Sequence, residues 1–202
     1  MIRGGLSLSV ALIILASGGS HRLGRPKQLL PFEGKSLLRH ALVTACETEC
    51  SPVIAVLGAN LDGILPETAE LPVEIAVNTS WEEGLGSSIR CGMQHLADSR
   101  PDTAAVIIAL CDQPKVDLNI YLSLIRAYRE GADLAACGYK DTVGVPALFS
   151  RRYFPVLLSL HGDQGAKLIL KAHRDDVRIV SFADGAIDID TMQDYEMLLR
   201  NQ

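Results

Sequence analysis

Short unbroken apolar runs alternate along this chain with longer stretches in which apolar residues return every three or four positions. The runs, rich in β-branched residues, are Val10–Leu15, Val53–Leu57, Val73–Val77 and Ala104–Leu110, with weaker ones at Asp133–Cys137 and Val177–Phe182. Between them, Leu38, Ala41, Leu42 and Ala45 follow Ser36, and Leu118, Leu122 and Ile125 follow Asp117. Each is the spacing of a helix face behind an N-cap residue. Near the C-terminus, Thr191 and Asp194 form a capping-box pattern that predicts a last helix burying Tyr195, Leu198 and Leu199. Strands without a polar face must be covered on both sides, so strand–helix alternation of this kind predicts a mostly parallel sheet between helical layers. The stretch "TVGVPALFS" reads as a strand added late, antiparallel and near an edge.

The leading run, "LSLSVALIILASGGSHRLGRPKQ", admits two readings. Arg3, the apolar Leu6–Leu15 and the small residues Ala16, Ser17 and Gly18 resemble an export signal, whose removal would take about 15–30 residues. Against that, Gly18 and Gly19 are followed closely by Arg22, Arg25 and Lys27. Glycines permit close backbone approach, and their N–H groups with nearby cations suit anionic oxygens. A first strand and a phosphate loop is the better reading. The loop is neither a P-loop, since Gly24 is followed by Arg25 and Pro26, nor a dinucleotide fingerprint, which needs a G-x-G-x-x-G spacing.

Composition narrows the class. With 202 residues, 48% of them hydrophobic, the chain is expected to form a single domain over residues 1–202. Its net charge of -5 gives no footprint for nucleic acid or an anionic membrane. No run approaches the roughly 20 apolar residues of a spanning helix. The five cysteines, Cys46, Cys50, Cys91, Cys111 and Cys137, are odd in number and mostly set in apolar runs. They read as reduced thiols of a cytoplasmic protein. Cys46 and Cys50 share a helix face but lack a second pair for zinc.

In a parallel sheet, ligands bind beyond the carboxyl ends of the strands. The segments found there are "ASGGSHRLGRPKQ", "NTSWEEGLGSSIR", "CDQPKV" and "DGAIDIDT". Asp112 ends the most apolar run, where an unpaired carboxylate is costly, and Asp117 already serves as the helix cap; a Mg²⁺ ligand fits Asp112. Gly84, Gly86, Ser87 and Ser88 open a helix whose N–H groups and hydroxyls suit a nucleotide. Trp81 reads first as a core or rim packing residue and second as one bordering a ligand, His40 and His95 as packing or surface residues, and Asp184 as a turn residue.

These segments, with "GVPALF", "GDQGAK" and "DIDTMQDY", resemble in order the nucleotidyltransferases that activate molybdopterin, more closely the cytidylyltransferase branch. The resemblance spans nearly the whole chain. Ser17 departs from the family's usual Ala or Gly, and Met192 from a common proline. The resemblance implies a Rossmann-like three-layer sandwich of the nucleotide-diphospho-sugar transferase type. It also implies attack of the molybdopterin phosphate on the α-phosphorus of a nucleoside triphosphate, with release of pyrophosphate. Lys27, Arg22 and Asp112 would then be catalytic. Leu15, Ala16, Ser17, Gly18, Gly19, Ser20, Gly24, Arg25 and Lys27, with Gly84, Gly86, Ser87 and Ser88, would bind the nucleotide. Mg²⁺ would be held by Asp112 and Asp190, with Asp188 the reserve ligand. Gly144, Pro146, Gly162, Asp163, Gly165 and Lys167 would meet the acceptor. The implied substrates are CTP, with GTP the alternative, and molybdopterin; a molybdoenzyme or its chaperone is the implied partner. Rival readings are transfer to another phosphorylated acceptor such as a sugar 1-phosphate, a non-catalytic protein that delivers molybdopterin, and an exported binding protein.

Overall fold

The computed structural model describes residues 9–139, 142–186 and 188–200. Arg3, the first part of the leading apolar run and Ile187 lie outside the described residues. The leading run does form a strand, β1 (Val10–Ala16), and all seven of its residues are buried. A small hairpin, β2 (Pro31–Phe32) and β3 (Lys35–Ser36), leads into α1 (Leu37–Cys46). Then come β4 (Val53–Leu57), the short α2 (Leu61–Ile64), β5 (Val73–Val77), α3 (Leu85–Ser99), β6 (Ala105–Leu110) and α4 (Leu118–Arg129). The C-terminal part comprises β7 (Leu134–Tyr139), β8 (Thr142–Ser150), α5 (Phe154–Leu158), α6 (Ala166–Ala172), β9 (Val177–Ser181) and α7 (Met192–Arg200).

The main sheet runs in the order β5-β4-β1-β6-β8-β7-β9. β1 pairs in parallel with β4 and β6, and β7 with β9. β8 is antiparallel to both of its neighbours, as the pattern predicts, but it lies inside the sheet and not near an edge. The reason is visible in its composition: Ala147, Leu148 and Phe149 are fully buried, so both faces of β8 need cover.

Alternate residues of each strand feed two cores. Leu12 and Ile14 join Leu38, Leu42, Tyr121, Leu124, Ile125 and Tyr128 of α1 and α4. Ala11 and Ile13 join Ile89, Met93, Leu157, Ile169 and Leu170 of α3, α5 and α6. Two helix faces therefore differ from their sequence reading. On α4 the buried stripe is Tyr121, Leu124, Ile125 and Tyr128, while Leu122 is exposed; on α7 Tyr195 and Leu198 are buried and Leu199 is exposed. In both helices apolar residues spread beyond one stripe, and the larger or better centred side chains take the core.

A third cluster gathers Leu23, Leu30, Phe32 and Leu37 with Ile189, Tyr195 and Leu198. It fastens α7 beneath the glycine-containing loop, and Tyr195 Oη adds a 2.6 Å hydrogen bond to the Pro31 carbonyl. The helix caps form as expected: Ser36 accepts from the Arg39 N–H and Asp117 from the Ile120 N–H. At α7 the box is reciprocal. Asp194 N–H donates to Thr191 Oγ1, and Asp194 Oδ2 accepts from the Thr191 N–H and hydroxyl at 2.7 Å each.

The Thr191 hydroxyl and nearby N–H groups hold the Asp194 carboxyl below the usual carboxylate range. A depressed carboxyl stabilises the fold above its unfolded pKa, and that stability is lost as pH falls through the folded value. Asp194→Ala is expected to cost about 1 kcal/mol near neutrality. In urea titrations at several pH values, the gap from wild type should shrink below about pH 4. A gap that stays constant there would remove the carboxylate from the account.

All five cysteines are free. Burial pushes the Cys50 thiol up to about 11 and those of Cys111 and Cys137 to about 12. Among the described residues, no helix is long and apolar enough to cross a membrane.

Candidate active site

Beyond the carboxyl ends of β1 and β6 opens a cleft of about 570 Å³, bordered by Leu15–Gly19, Lys27, Trp81, Leu85, Ser88 and Asp112 among others. One wall is the loop that follows β1. Ser20 (φ 54°) and Gly24 (φ 70°) take left-handed conformations on either side of a single 3-10 turn, His21–Leu23. Beneath this loop lies Gln28, 1% exposed. Its Nε2 donates to the Ala16 carbonyl at 2.7 Å and the Gly18 carbonyl at 2.9 Å, while Oε1 accepts from Ser20 Oγ at 3.4 Å. Ser20 Oγ also accepts from the Lys27 N–H. Gln28 thus fixes the loop by its carbonyls, and no described residue accepts from the N–H groups of Gly18 or Gly19. Those donors remain for a ligand.

The opposite wall is the start of α3. Ser88 Oγ meets Ser17 Oγ at 2.6 Å, which ties this wall to the loop; the departure at Ser17 is therefore used structurally. Asn78 Nδ2 donates to Ser87 Oγ at 2.9 Å and to Ser88 Oγ at 3.2 Å. The Ser87 hydroxyl is turned inward onto the Ser80 and Gly84 carbonyls, and Ser87 does not line the cleft. Gly84 has φ 104°, and a Cβ there would come within 2.6 Å of the Gly162 carbonyl and Asp163 Oδ1. Gly86 N–H donates to the Gly162 carbonyl at 2.9 Å, and a Cβ on Gly165 would press on Leu85. The segment with Gly162, Asp163, Gly165 and Lys167 is therefore seated directly on the start of α3. Gly144 and Pro146 are not with it: both are buried in β8, where Gly144 packs against the Tyr139 ring.

At the floor of the cleft the charged residues converge. Lys27 Nζ bonds Asp112 Oδ2 and lies 3.5 Å from Asp190 Oδ1; Arg22 Nη2 is 2.9 Å from Asp190 Oδ2. Residues distant in sequence are held together here by the Ile189 N–H, which donates to the Asp112 carbonyl at 3.1 Å. Burial by itself would pull the Lys27 ammonium down. The Asp112 carboxylate, with smaller contributions from Cys111 and Asp190, outweighs it and holds Lys27 above the ordinary lysine value. Asp188 is held by Gln113 Nε2 at 2.9 Å, and burial, reinforced by Asp112 and Asp190, raises its pKa. Arg25 points away from the cluster, its guanidinium 3.7 Å from Met192 Sδ.

Asp112 is 6% exposed, and its Oδ1 is buried without a hydrogen-bond partner. Leaving such an oxygen unsatisfied costs free energy unless something charged completes it. Two carboxylates flanking one cation position, with no cluster of three or more His, Cys, Asp or Glu among the described residues, make an incomplete oxygen site. That donor set suits a hard divalent ion that takes its remaining ligands from phosphate oxygens and water.

Trp81 is a rim residue that borders the cleft, stacked against His21 with ring centroids 6.0 Å apart. His40 and His95 lie elsewhere, edge-on to Phe32 and paired with Glu74. Asp184 lies in a one-turn 3-10 helix. The residues missed by sequence reasoning are Gln28, Asn78 and Gln113, all buried amides that position others.

Residues 12–177 match the family described as MobA-like NTP transferase domain. The Nicotine blue oxidoreductase of Paenarthrobacter nicotinovorans is 31% identical over 198 residues, 93% of this chain and 95% of that protein. Purine catabolism protein PucB of Bacillus subtilis is 28% identical over the same coverage of both chains. Among solved structures, Rv0371c from Mycobacterium tuberculosis H37Rv aligns with a TM-score of 0.85 at 31% identity, covering 97% of this chain and 100% of that one. The manganese complex of Rv0371C aligns with a TM-score of 0.80 at 28% identity, covering 96% and 100%.

Proposed function

This chain belongs to the MobA-like NTP transferase family, and on that premise we propose that it transfers CMP from CTP to the phosphate of molybdopterin carrying its metal. The acceptor's phosphate oxygen attacks the α-phosphorus, the bond from the α-phosphorus to the bridging oxygen breaks, and pyrophosphate leaves. A phosphate monoester is already anionic near neutrality, so the protein needs no general base. Its work is positioning and offsetting charge. The observation that carries this reading is the cluster at the floor of the cleft: Lys27 between Asp112 and Asp190, with Asp112 Oδ1 unsatisfied.

In this reading the free N–H groups of Gly18 and Gly19 face the triphosphate oxygens, held there by Gln28. Lys27 and Arg22 offset charge on the triphosphate and the departing pyrophosphate. Asp112 and Asp190 hold Mg²⁺ or Mn²⁺, which supplies further charge neutralisation when bound. Asp188 stays the reserve ligand, since its carboxylate is engaged by Gln113. The segment with Gly162, Asp163, Gly165 and Lys167 is given to the acceptor, a reading supported by its contact with the start of α3. A pure delivery protein has no use for a lysine bracketed by two carboxylates. Free, buried thiols support a reducing, cytoplasmic setting.

The decisive experiment incubates the pure protein with Mg²⁺, each of the four nucleoside triphosphates and molybdopterin, and follows pyrophosphate. With CTP and GTP competing at equal concentration, the expected main product by mass is the cytosine dinucleotide. A purine entering a site fitted to the pyrimidine edge leaves polar groups unpaired, which costs several kcal/mol in such sites. A guanine dinucleotide as main product would overturn the base choice and leave the transferase reading standing. No pyrophosphate with any nucleotide would overturn both. Because one relative is named an oxidoreductase, a parallel sample with a reduced nicotinamide cofactor monitors hydride transfer.

A further inference from the structure

β9 ends the main sheet on the side away from β5, and its outer edge is open. Phe182 N–H donates to the Gly138 carbonyl at 3.0 Å, so the backbone groups of Arg178, Val180 and Phe182 turn toward β7. Alternation along a strand then turns those of Ile179 and Ser181 outward, together with the Val177 carbonyl. Among the described residues no hydrogen bond uses these outward groups. The strand also lacks the devices that usually guard an edge. It holds no lysine or proline, and its one charge, Arg178, lies on the opposite face from Ile179, 3.3 Å from Glu130. Ile179, at its centre, is 61% exposed, more than any other large hydrophobic residue described. That exposure is not looseness. A Cβ on Gly138 would lie 2.5 Å from Ile179 Cγ2, so the side chain is seated on the neighbouring strand. Beside it, Val143 and Val177 line a groove of about 550 Å³ that Lys171 and Arg174 border.

We infer that β9 is a docking edge for a second copy of this chain, paired antiparallel about a two-fold axis at Ile179. The inference stands whether or not the chain transfers nucleotides. Pairing Ile179 with itself is the register in which the outward groups meet. It gives two bonds between the Ile179 residues and two more from each Ser181 N–H to the Val177 carbonyl opposite. The side chains agree with it. Ile179 faces Ile179, Val177 faces Ser181 and Arg178 faces Val180, so no like charges stand directly opposite. Counting outward from the axis, Arg174 falls level with Asp184 of the second copy, an attraction tempered by Asp175 and Asp176 beside it. A two-fold contact of this kind uses one edge per copy, so assembly closes at the dimer.

Sedimentation velocity from about 1 to 100 μM should show the wild-type protein passing from monomer to dimer. Ile179→Pro removes an outward donor and no bond to β7, at a position where an edge strand accepts proline. It should raise the dissociation constant about 10- to 100-fold, the loss of two hydrogen bonds per dimer. Ile179→Lys should do at least as much, because it sets ammonium against ammonium across the axis. Circular dichroism and a melting curve check that each variant folds, and if one does not, the other decides. The inference is overturned if the wild type stays monomeric throughout, if both folded variants dimerise like it, or if assemblies grow past the dimer. Should neither variant fold, amide hydrogen exchange on the wild-type protein decides. Raising its concentration over the same range should slow the Ile179 and Ser181 amides about 10-fold more than those of Val180 and Phe182, which β7 already holds. Equal slowing of all four, or of none, overturns the pairing.

Discussion

Asp112→Asn is expected to lower turnover by about 10³-fold or more while leaving the fold intact. The amide is nearly the same size as the carboxylate, but it is neutral and a poor ligand for a hard divalent ion. Two properties of the site argue that the fold survives. The asparagine oxygen can still accept from Lys27 Nζ, and Asp190 Oδ1, 3.5 Å from the same ammonium, keeps a counter-charge beside it. The change also removes the main group that raises the Lys27 pKa, leaving burial to pull it down, so an alkaline limb in the rate profile should move to lower pH. Steady-state rates over a Mg²⁺ titration, with circular dichroism and a melting curve for integrity, test this. Near wild-type rates at limiting Mg²⁺ would show that Asp112 does not hold the metal.

Lys27→Ala should lower kcat by about 10²- to 10³-fold, the usual cost of losing one fixed charge donor in a dry site. It should also weaken nucleotide binding, because the triphosphate is anionic in the ground state as well as in the transition state. A third effect distinguishes this residue from an ordinary cation. Lys27 stands between Asp112 and Asp190, in contact with both carboxylates. Without it the two carboxylates repel and gain affinity for a divalent ion in the absence of nucleotide. Mn²⁺ binding followed by electron spin resonance should therefore be tighter in Lys27→Ala than in wild type, even as catalysis fails. Unchanged kcat, unchanged nucleotide affinity and unchanged Mn²⁺ affinity together would leave Lys27 a structural ion-pair partner of Asp112 and Asp190 with no part in the chemistry.

The layers of the fold and the charged floor of the site were legible because their signals are local. A run of seven apolar residues has few options other than a covered strand, and Asp112 stands out as a carboxylate at the end of such a run. Strand order is not local. Nothing in "TVGVPALFS" says that β7 and β9 will add outside β8, so its interior place emerged only with the tertiary pairing. On α4, apolar residues at Leu118, Ile120, Tyr121, Leu122, Leu124 and Ile125 cover most of the helix circumference, and periodicity alone could not centre the buried stripe. The buried amides were illegible for a related reason. Gln28, Asn78 and Gln113 gain their roles from partners that the fold brings to them, and an isolated Gln or Asn in a sequence looks like any surface residue. The one available hint was Gln28, a lone polar residue between Lys27 and the apolar Leu29 and Leu30.

Asp190 owes its place to Ile189, which is buried in the same cluster as Leu23 from the first loop and Tyr195 and Leu198 from the last helix. The charged floor is thus assembled from segments far apart in the sequence. During synthesis, Lys27 and Asp112 leave the ribosome long before Asp190, and the buried side of α7 that anchors Asp190 comes later still. A nascent chain can build most of its sheet and still lack one of the two carboxylates that face Lys27. On the proposed reading the site is complete only once α7 docks against the first loop, so transfer would have to await the folding of that helix.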